Sequence, residues 1–333
     1  MRRLLLVALS AALSTLSGCR CDPGPPGGHE PARKSGLPIT KPPTASPPKR
    51  LAAIEGRISG VVLDDAYAYL SVESDDGRGS IVRVAKKTGE TQVLAKGEPG
   101  PQAIALAGMP VGSELVWLLS GDLFRDREGA AFARMAKDGS GEIKRTPFKP
   151  KGRTGICPIG DAIVLCADAV VRVEKDGATT KLADAPGGMC SVAACDAKHA
   201  YIGADGKVHR VALERGDGGA TKAELFASPA DHLHALTIAG SDVFWADKTG
   251  VYKTPIAGGA PSRVSTSSDP VAVLADDNHV YVASLDGAIS RIRRSGSAVA
   301  QIATTTPSPG RIMVMDKGQL YWSADDGLWS LAR

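Results

Sequence analysis

The sequence predicts an all-β fold: a seven-bladed β-propeller of four-stranded antiparallel blades, closed by an N-terminal strand that completes the last blade. Three observations predict it. Short apolar or alternating runs recur from residue 50 to the C-terminus, separated by turn residues. The recurring unit has a period of about 42 residues, the length of one four-stranded blade. The last unit stops one strand short, while the first is preceded by a strand to spare.

The unit is clearest near the C-terminus. Val271-Ala272-Val273-Leu274 is followed by the turn pair Asp276-Asp277, then by Val280-Tyr281-Val282-Ala283. Asp286-Gly287, Ile289-Ser290-Arg291-Ile292, the Ser295-Gly296 turn and Ala300-Gln301-Ile302-Ala303 complete it. Taking the large residue of each second strand as an anchor gives Tyr69, Trp117, Leu165, Tyr201, Phe244, Tyr281 and Tyr321, spaced 36 to 48 residues apart. The third strand carries a recurring basic residue at Arg83, Arg134, Arg172, Arg210, Lys253 and Arg291. Its expected setting is a solvated alternate position beside an Asp. The seventh unit runs Ile312–Met315, Leu320–Trp322 and Leu328–Leu331, then ends at Arg333. Arg50-Leu51-Ala52-Ala53 matches the outer strands Lys181-Leu182-Ala183, Glu224-Leu225-Phe226-Ala227 and Gln301-Ile302-Ala303. Residues 50–53 are therefore expected to complete blade seven and to remove the exposed edges of an open sheet array.

The N-terminus has a different character. Met1-Arg2-Arg3 is a short positive region, and Leu4 to Leu16 is an apolar run too short for a spanning helix but suited to a signal peptide over residues 1–18. Leu16-Ser17-Gly18-Cys19 resembles the bacterial lipobox. That resemblance implies acylation of Cys19 and a lipid anchor in the membrane. Arg20, where an Asp would retain such a protein at the inner membrane, implies the outer membrane. Several acyl chains, at about 0.8 kcal/mol per buried methylene, give stable anchoring. Cys21 is open to a free thiol, acylation or a disulfide. Residues 19–49 read as a disordered linker, since the nine prolines between Asp22 and Arg50 leave Leu37 and Ile39 as the only larger aliphatics. Fully extended, the linker reaches on the order of 90 Å at about 3.1 Å per residue. The net charge is only +4, with Arg2 and Arg3 in the signal contributing two. Nucleic acid is accordingly not an expected partner.

Phe244-Trp245-Ala246-Asp247 and Tyr321-Trp322-Ser323-Ala324-Asp325, each followed by Gly and a third strand, are similar to the Tyr-Trp-Thr-Asp propeller repeats of lipoprotein receptors and bacterial secreted proteins. The general layout also resembles TolB-like and quinoprotein-like propellers. The receptor propellers have six blades where this chain counts seven, so the resemblance implies the fold and carries over no binding residue.

Candidate chemistry is sparse. His232 and His234 flank Leu233 after Asp231, where the innermost strand of blade five begins. An i, i+2 pair on a strand points both rings to one face, toward the channel or a neighbouring blade. No second ligand pair completes a metal site, and neither metal nor cofactor is expected. His199, His209 and His279 fall at strand positions or turn edges, and His29 in the linker. Cys157, Cys166, Cys190 and Cys195 all fall in blades three and four, and an oxidising compartment favours disulfides. Placing Cys157 opposite Cys166 permits that bridge. It leaves Cys190 and Cys195 about 17 Å apart along one strand, against the roughly 5.5 Å a bridge needs. A bulge, or bridges between the two blades, would resolve the conflict; a four-cysteine zinc site is the remaining reading. The acidic pairs Asp64-Asp65, Asp75-Asp76, Asp276-Asp277 and Asp325-Asp326 do not have calcium-loop spacing and read as turn residues. No phosphate loop and no nucleophile elbow is present.

These readings lead to an outer-membrane-anchored, monomeric lipoprotein whose propeller is a non-enzymatic binding or scaffold module for an envelope protein or polysaccharide. The alternative is a propeller enzyme or cofactor protein of the lyase, glycosidase or quinoprotein type, with its site at the channel mouth. The longest interruptions of the repeat are Glu73–Gly79, Gly121–Gly129 and Phe148–Thr154. Binding on a rigid scaffold concentrates in such loops, which nominates Asp122, Arg125, Asp126 and Arg127, together with His232 and His234.

Overall fold

The computed structural model describes residues 47–107, 113–119, 130–148, 155–166, 169–187, 190–214, 222–229, 232–267, 269–296 and 299–333. Their regular elements are all strands, grouped in seven four-stranded antiparallel sheets. Blades one to six span Arg57–Pro99, Pro101–Pro147, Gly155–Asp184, Cys190–Ala227, Leu233–Ser265 and Pro270–Thr304. Blade seven takes its first three strands from Met313–Ala332 and its outer strand from Lys49–Ala53. The closing strand pairs Lys49 with Ser330 and Ala53 with Gly327, as the leftover-strand argument requires.

The register defines two ends of the ring. Turns between first and second strands, and between third and outer strands, lie on one face, here called proximal. Turns between second and third strands, and the blade-to-blade connections, lie on the distal face. The closing strand runs from the proximal end toward the distal end.

Second strands are buried along almost their whole length: Leu115–Leu119 and Ala162–Cys166 contain no exposed residue. Each is covered on both sides by a neighbouring blade, which is why these strands read as continuous apolar runs rather than alternating ones. The apolar core divides into seven clusters, one at each blade boundary. At three boundaries a Trp shares the cluster with a Tyr of the preceding blade: Trp117 with Tyr69, Trp245 with Tyr201, and Trp322 with Tyr281.

Pairing corrects two anchors. Tyr69 lies opposite Arg83 and Tyr201 opposite Arg210, but Arg134 lies opposite Val116 and Arg172 opposite Val164. The structural equivalents of the tyrosines are therefore one residue before Trp117 and Leu165. Those large residues belong to the other face of the sheet, where size alone drew the alignment.

The outer strands explain the recurring apolar-Ala motif. In blades three, four and six a bulge falls at Leu182, Phe226 and Ile302, where the partner register skips one residue. Leu51 occupies the same place in the closing strand. A bulge places two consecutive residues on the inward side and breaks the flatness of an exposed edge. Leu182 and Ala183 are both buried in this way. The outer strand of blade two, Lys144–Pro147, pairs without a bulge and has Arg145-Thr146 in place of the motif.

Candidate functional site

The first strands surround the channel, and five of them shift register near the distal face, at Ser59, between Pro101 and Ile104, between Cys190 and Val192, at His234 and at Val271. Such a bulge re-aims a side chain. Ser59 Oγ donates to Pro101 O of blade two at 2.7 Å. His234 Nδ1 lies 2.9 Å from Pro270 O of blade six, so it carries the proton and donates. The two residues occupy equivalent places, and each ties its blade to the first strand of the next. His232 precedes this strand and is exposed. The expectation of an i, i+2 pair on one regular strand is therefore corrected, because His232 lies outside the strand and His234 is the bulged residue. Asp231 lies outside the described residues.

The loop residues Asp122, Arg125, Asp126 and Arg127 also lie outside the described residues, as does Cys19. The interruption at Glu73–Gly79 resolves into a tight distal turn, with Glu73 closing one strand and Arg78 opening the next. Arg57 pairs with Glu73 there, and Asp76 Oδ1 accepts the Arg78 N–H at 3.0 Å.

Four of the six recurring basic residues reach across a blade boundary. Arg83 donates to Asp138 O at 3.4 Å, Arg134 to Lys175 O at 2.7 Å, Arg210 to Ile256 O at 3.2 Å and Lys253 to Arg294 O at 3.0 Å. Each acceptor belongs to the next blade, close to the end of its third strand. Arg134 is itself buried and also pairs with Glu114 at 3.2 Å. For these four the expectation of a solvated position is corrected, because an outward position in a propeller faces the neighbouring blade; Arg172 instead pairs with Glu174 of its own blade. Glu98 adds a further crossing between blades one and two: buried in an outer strand, it accepts from Arg145 at 2.6 Å and from Trp117 Nε1 at 3.2 Å.

On the proximal face one carboxylate organises the first turn of four blades. Asp64 Oδ1 accepts the Ala66 and Tyr67 N–H groups, and its Oδ2 accepts the Tyr69 hydroxyl at 2.9 Å. Asp196, Asp276 and Asp316 repeat this with Tyr201, Tyr281 and Tyr321, each at 3.2 Å. Burial raises the Asp64 pKa, but hydrogen bonds from Lys137, the backbone and Tyr69 outweigh it and hold it below the usual carboxylate range. Asp276 and Asp316 are lowered in the same way. Burial, with the Asp196 charge and hydrogen bond, pushes the Tyr201 hydroxyl up to about 12. These groups do turn chemistry, as the acidic pairs suggested, with the Tyr bond as an addition. The Asp-to-Tyr spacing of five residues was the available signal.

The cysteines pair across blades: Cys157 with Cys195 and Cys166 with Cys190, each with Cα atoms 5.8 Å apart. The Cys157–Cys166 placement is corrected, since Cys157 lies opposite Val164 and Cys166 opposite Gly155. Gly155 permits the close approach of the two first strands, because a Cβ there would stand 2.7 Å from Ala193 N. Among the described residues, no group of three or more His, Cys, Asp or Glu side chains is arranged to hold a metal.

No protein-family model matches the chain, and no curated protein sequence matches it. Solved structures do. Virginiamycin B lyase from Staphylococcus aureus aligns at 12% identity over 83% of this chain and 95% of its own, with a TM-score of 0.66. YCF48 from Cyanidioschyzon merolae aligns at 11% identity over 86% of this chain and 99% of its own, with a TM-score of 0.62. A chain of a mitotic checkpoint complex aligns at 12% identity over 90% and 98%, with a TM-score of 0.65. YCF48 is also among these structures bound to D1 peptide. The likeness is one of fold, and the fold serves unlike functions.

Proposed function

We propose that the chain is an outer-membrane lipoprotein, anchored through Cys19, whose propeller binds or scaffolds an envelope protein or polysaccharide without catalysing a reaction. One observation carries the reading. Two polar side chains of the first strands near the distal mouth, Ser59 and His234, are committed to carbonyls of the next blade. They brace the ring rather than converge on a reacting group, and a braced ring is a rigid platform for loops. The closing strand begins at the proximal end, so the linker meets the ring there and the distal face is the one left for a partner. That YCF48 holds a peptide on the same fold is compatible with this use.

Two measurements test the reading. Cys19→Ser abolishes acyl labelling and releases the chain from the membrane fraction, while Arg20→Asp moves it to the inner membrane; a chain that fractionates identically in all three forms refutes the anchor. A photo-crosslinking residue placed at Asp76 on the distal face yields a discrete envelope adduct, and one at Glu90 on the proximal face does not. Equal adducts from both positions refute the distal assignment, and replacing Asp122, Arg125, Asp126 and Arg127 with Ala weakens the distal adduct.

A further inference from the structure

The chemistry that crosses the blade boundaries changes around the ring. Lys86 pairs with Asp316 at 2.8 Å, Lys137 with Asp64 at 3.0 Å, Arg294 with Asp242 at 2.6 Å and Arg333 with Asp276 at 3.1 Å. These pairs span the seven/one, one/two, five/six and six/seven boundaries. Each cation directly follows a third strand, and its backbone N–H donates into the first turn of its own blade, as Arg294 N does to Asn278 O. Leu213 N makes the same bond to Lys198 O in blade four. Leu213 therefore stands where these four blades carry a cation, as does Ile256 in blade five, whose N–H donates to Ser241 O.

The acid is replaced as well. Blade three has the same two-residue first turn as blade five, pairing Ile159 with Ala162 as blade five pairs Ala239 with Asp242. Ala162 thus stands where blade five carries Asp242, and both Ala162 and Leu213 are buried. Among the described residues, the cluster at this three/four boundary is also the one of the seven that contains no aromatic ring. Arg172, in the place of the crossing cations, pairs with Glu174 of its own blade at 2.7 Å. The two disulfides lie at this same boundary. Cys166–Cys190 lies toward the distal end and Cys157–Cys195 toward the proximal end, so the seam is pinned near both faces.

We propose that the two disulfides form a redox-sensitive clasp. Oxidised, they hold the three/four boundary shut where an aromatic ring, with or without a charge pair, does so at the other six; reduced, they leave it as the one seam at which the ring opens. Each bridge forms when two thiols lose two electrons and two protons to a disulfide oxidant, which becomes two thiols; a dithiol reverses the exchange. Cys157, Cys166 and Cys190 are buried while Cys195 is partly exposed, so Cys157–Cys195 is reduced first.

The test is hydrogen–deuterium exchange of the full chain, oxidised and in dithiothreitol, at a temperature below both melting transitions. Exchange in Gly155–Cys166 and Cys190–Ala204 is expected to rise at least about tenfold on reduction, with blades six, seven and one unchanged. The melting temperature is expected to fall by on the order of 10 °C. Unchanged exchange, or a uniform rise over all seven blades, overturns the proposal. Should the reduced chain unfold outright, Cys157→Ser with Cys195→Ser retains one bridge and gives the same local reading under oxidising conditions. Arg294→Gln is the control: it raises exchange in blades five and six, and a rise in blades three and four instead also overturns the proposal.

Discussion

At Asp316 a single carboxylate takes hydrogen bonds from two backbone N–H groups and the Tyr321 hydroxyl while pairing with Lys86 of the neighbouring blade. Burial pushes its pKa up, but the Lys86 ammonium and the Gly318 and Gln319 N–H groups outweigh burial and hold it down at about 2. A carboxylate held below its unfolded value contributes stability that is present above that value and lost as the pH falls through the folded one. Acid destabilisation is therefore expected between the ordinary 3.8 and about 2. Asp316→Asn is expected to lower stability at pH 7 by about 1–3 kcal/mol and to flatten that acid limb. Urea midpoints measured from pH 7 to 2 check this, and an unaltered limb would mean that the carboxylate is not linked to folding. At this scale the sequence was half legible. Asp at a turn is a local signal, since the side chain caps its own backbone. That Lys86 belongs to the same cluster is not local, because the two residues lie at opposite ends of the chain and meet only when the ring closes.

The outer strands show how far a motif can be read within one element. Leu182 and Leu225 are both leucines of outer strands, but Leu182 sits in a bulge at 1% exposure and Leu225 points outward at 59%. Leu182→Ala is expected to cost about 2–5 kcal/mol, and Leu225→Ala to stay within about 0.5 kcal/mol. Thermal or urea denaturation of the two variants distinguishes them, and equal losses would refute the bulge register. The apolar-Ala motif located the strand; the direction of each side chain depended on the bulge. The same limit explains the shifted anchors in blades two and three. Trp117 and Leu165 are large enough to mark a second strand, but a strand buried on both faces gives no alternation by which to fix its phase.

For the whole molecule, closure is the decisive contact. The closing strand covers the edge of Gly327–Ala332, so removing residues 47–53 leaves that edge bare beside the blade one boundary. The shortened chain is expected to melt at least about 10 °C lower and to associate through the freed edge, as size-exclusion chromatography and a melting curve would reveal. A monomer of unchanged stability would mean that the ring does not depend on this strand. The seven core clusters make the dependence physical: each lies between two blades, so a blade without a neighbour has no complete core.

By itself the sequence determined the strand count, the blade count and the closing strand, because turn residues and apolar runs are local signals that repetition multiplies. It also determined that the four cysteines Cys157, Cys166, Cys190 and Cys195 fall in blades three and four, since spacing along the chain confines them there. Only the tertiary structure decided which cysteine meets which, that four basic residues of the third strands reach into the next blade, and that Ser59 and His234 are spent on bracing. The physical reason is common to all three. In a propeller the outward face of each sheet is the inward face of a boundary, so a residue's environment is set by a partner about forty positions away, and no pattern within one blade records it.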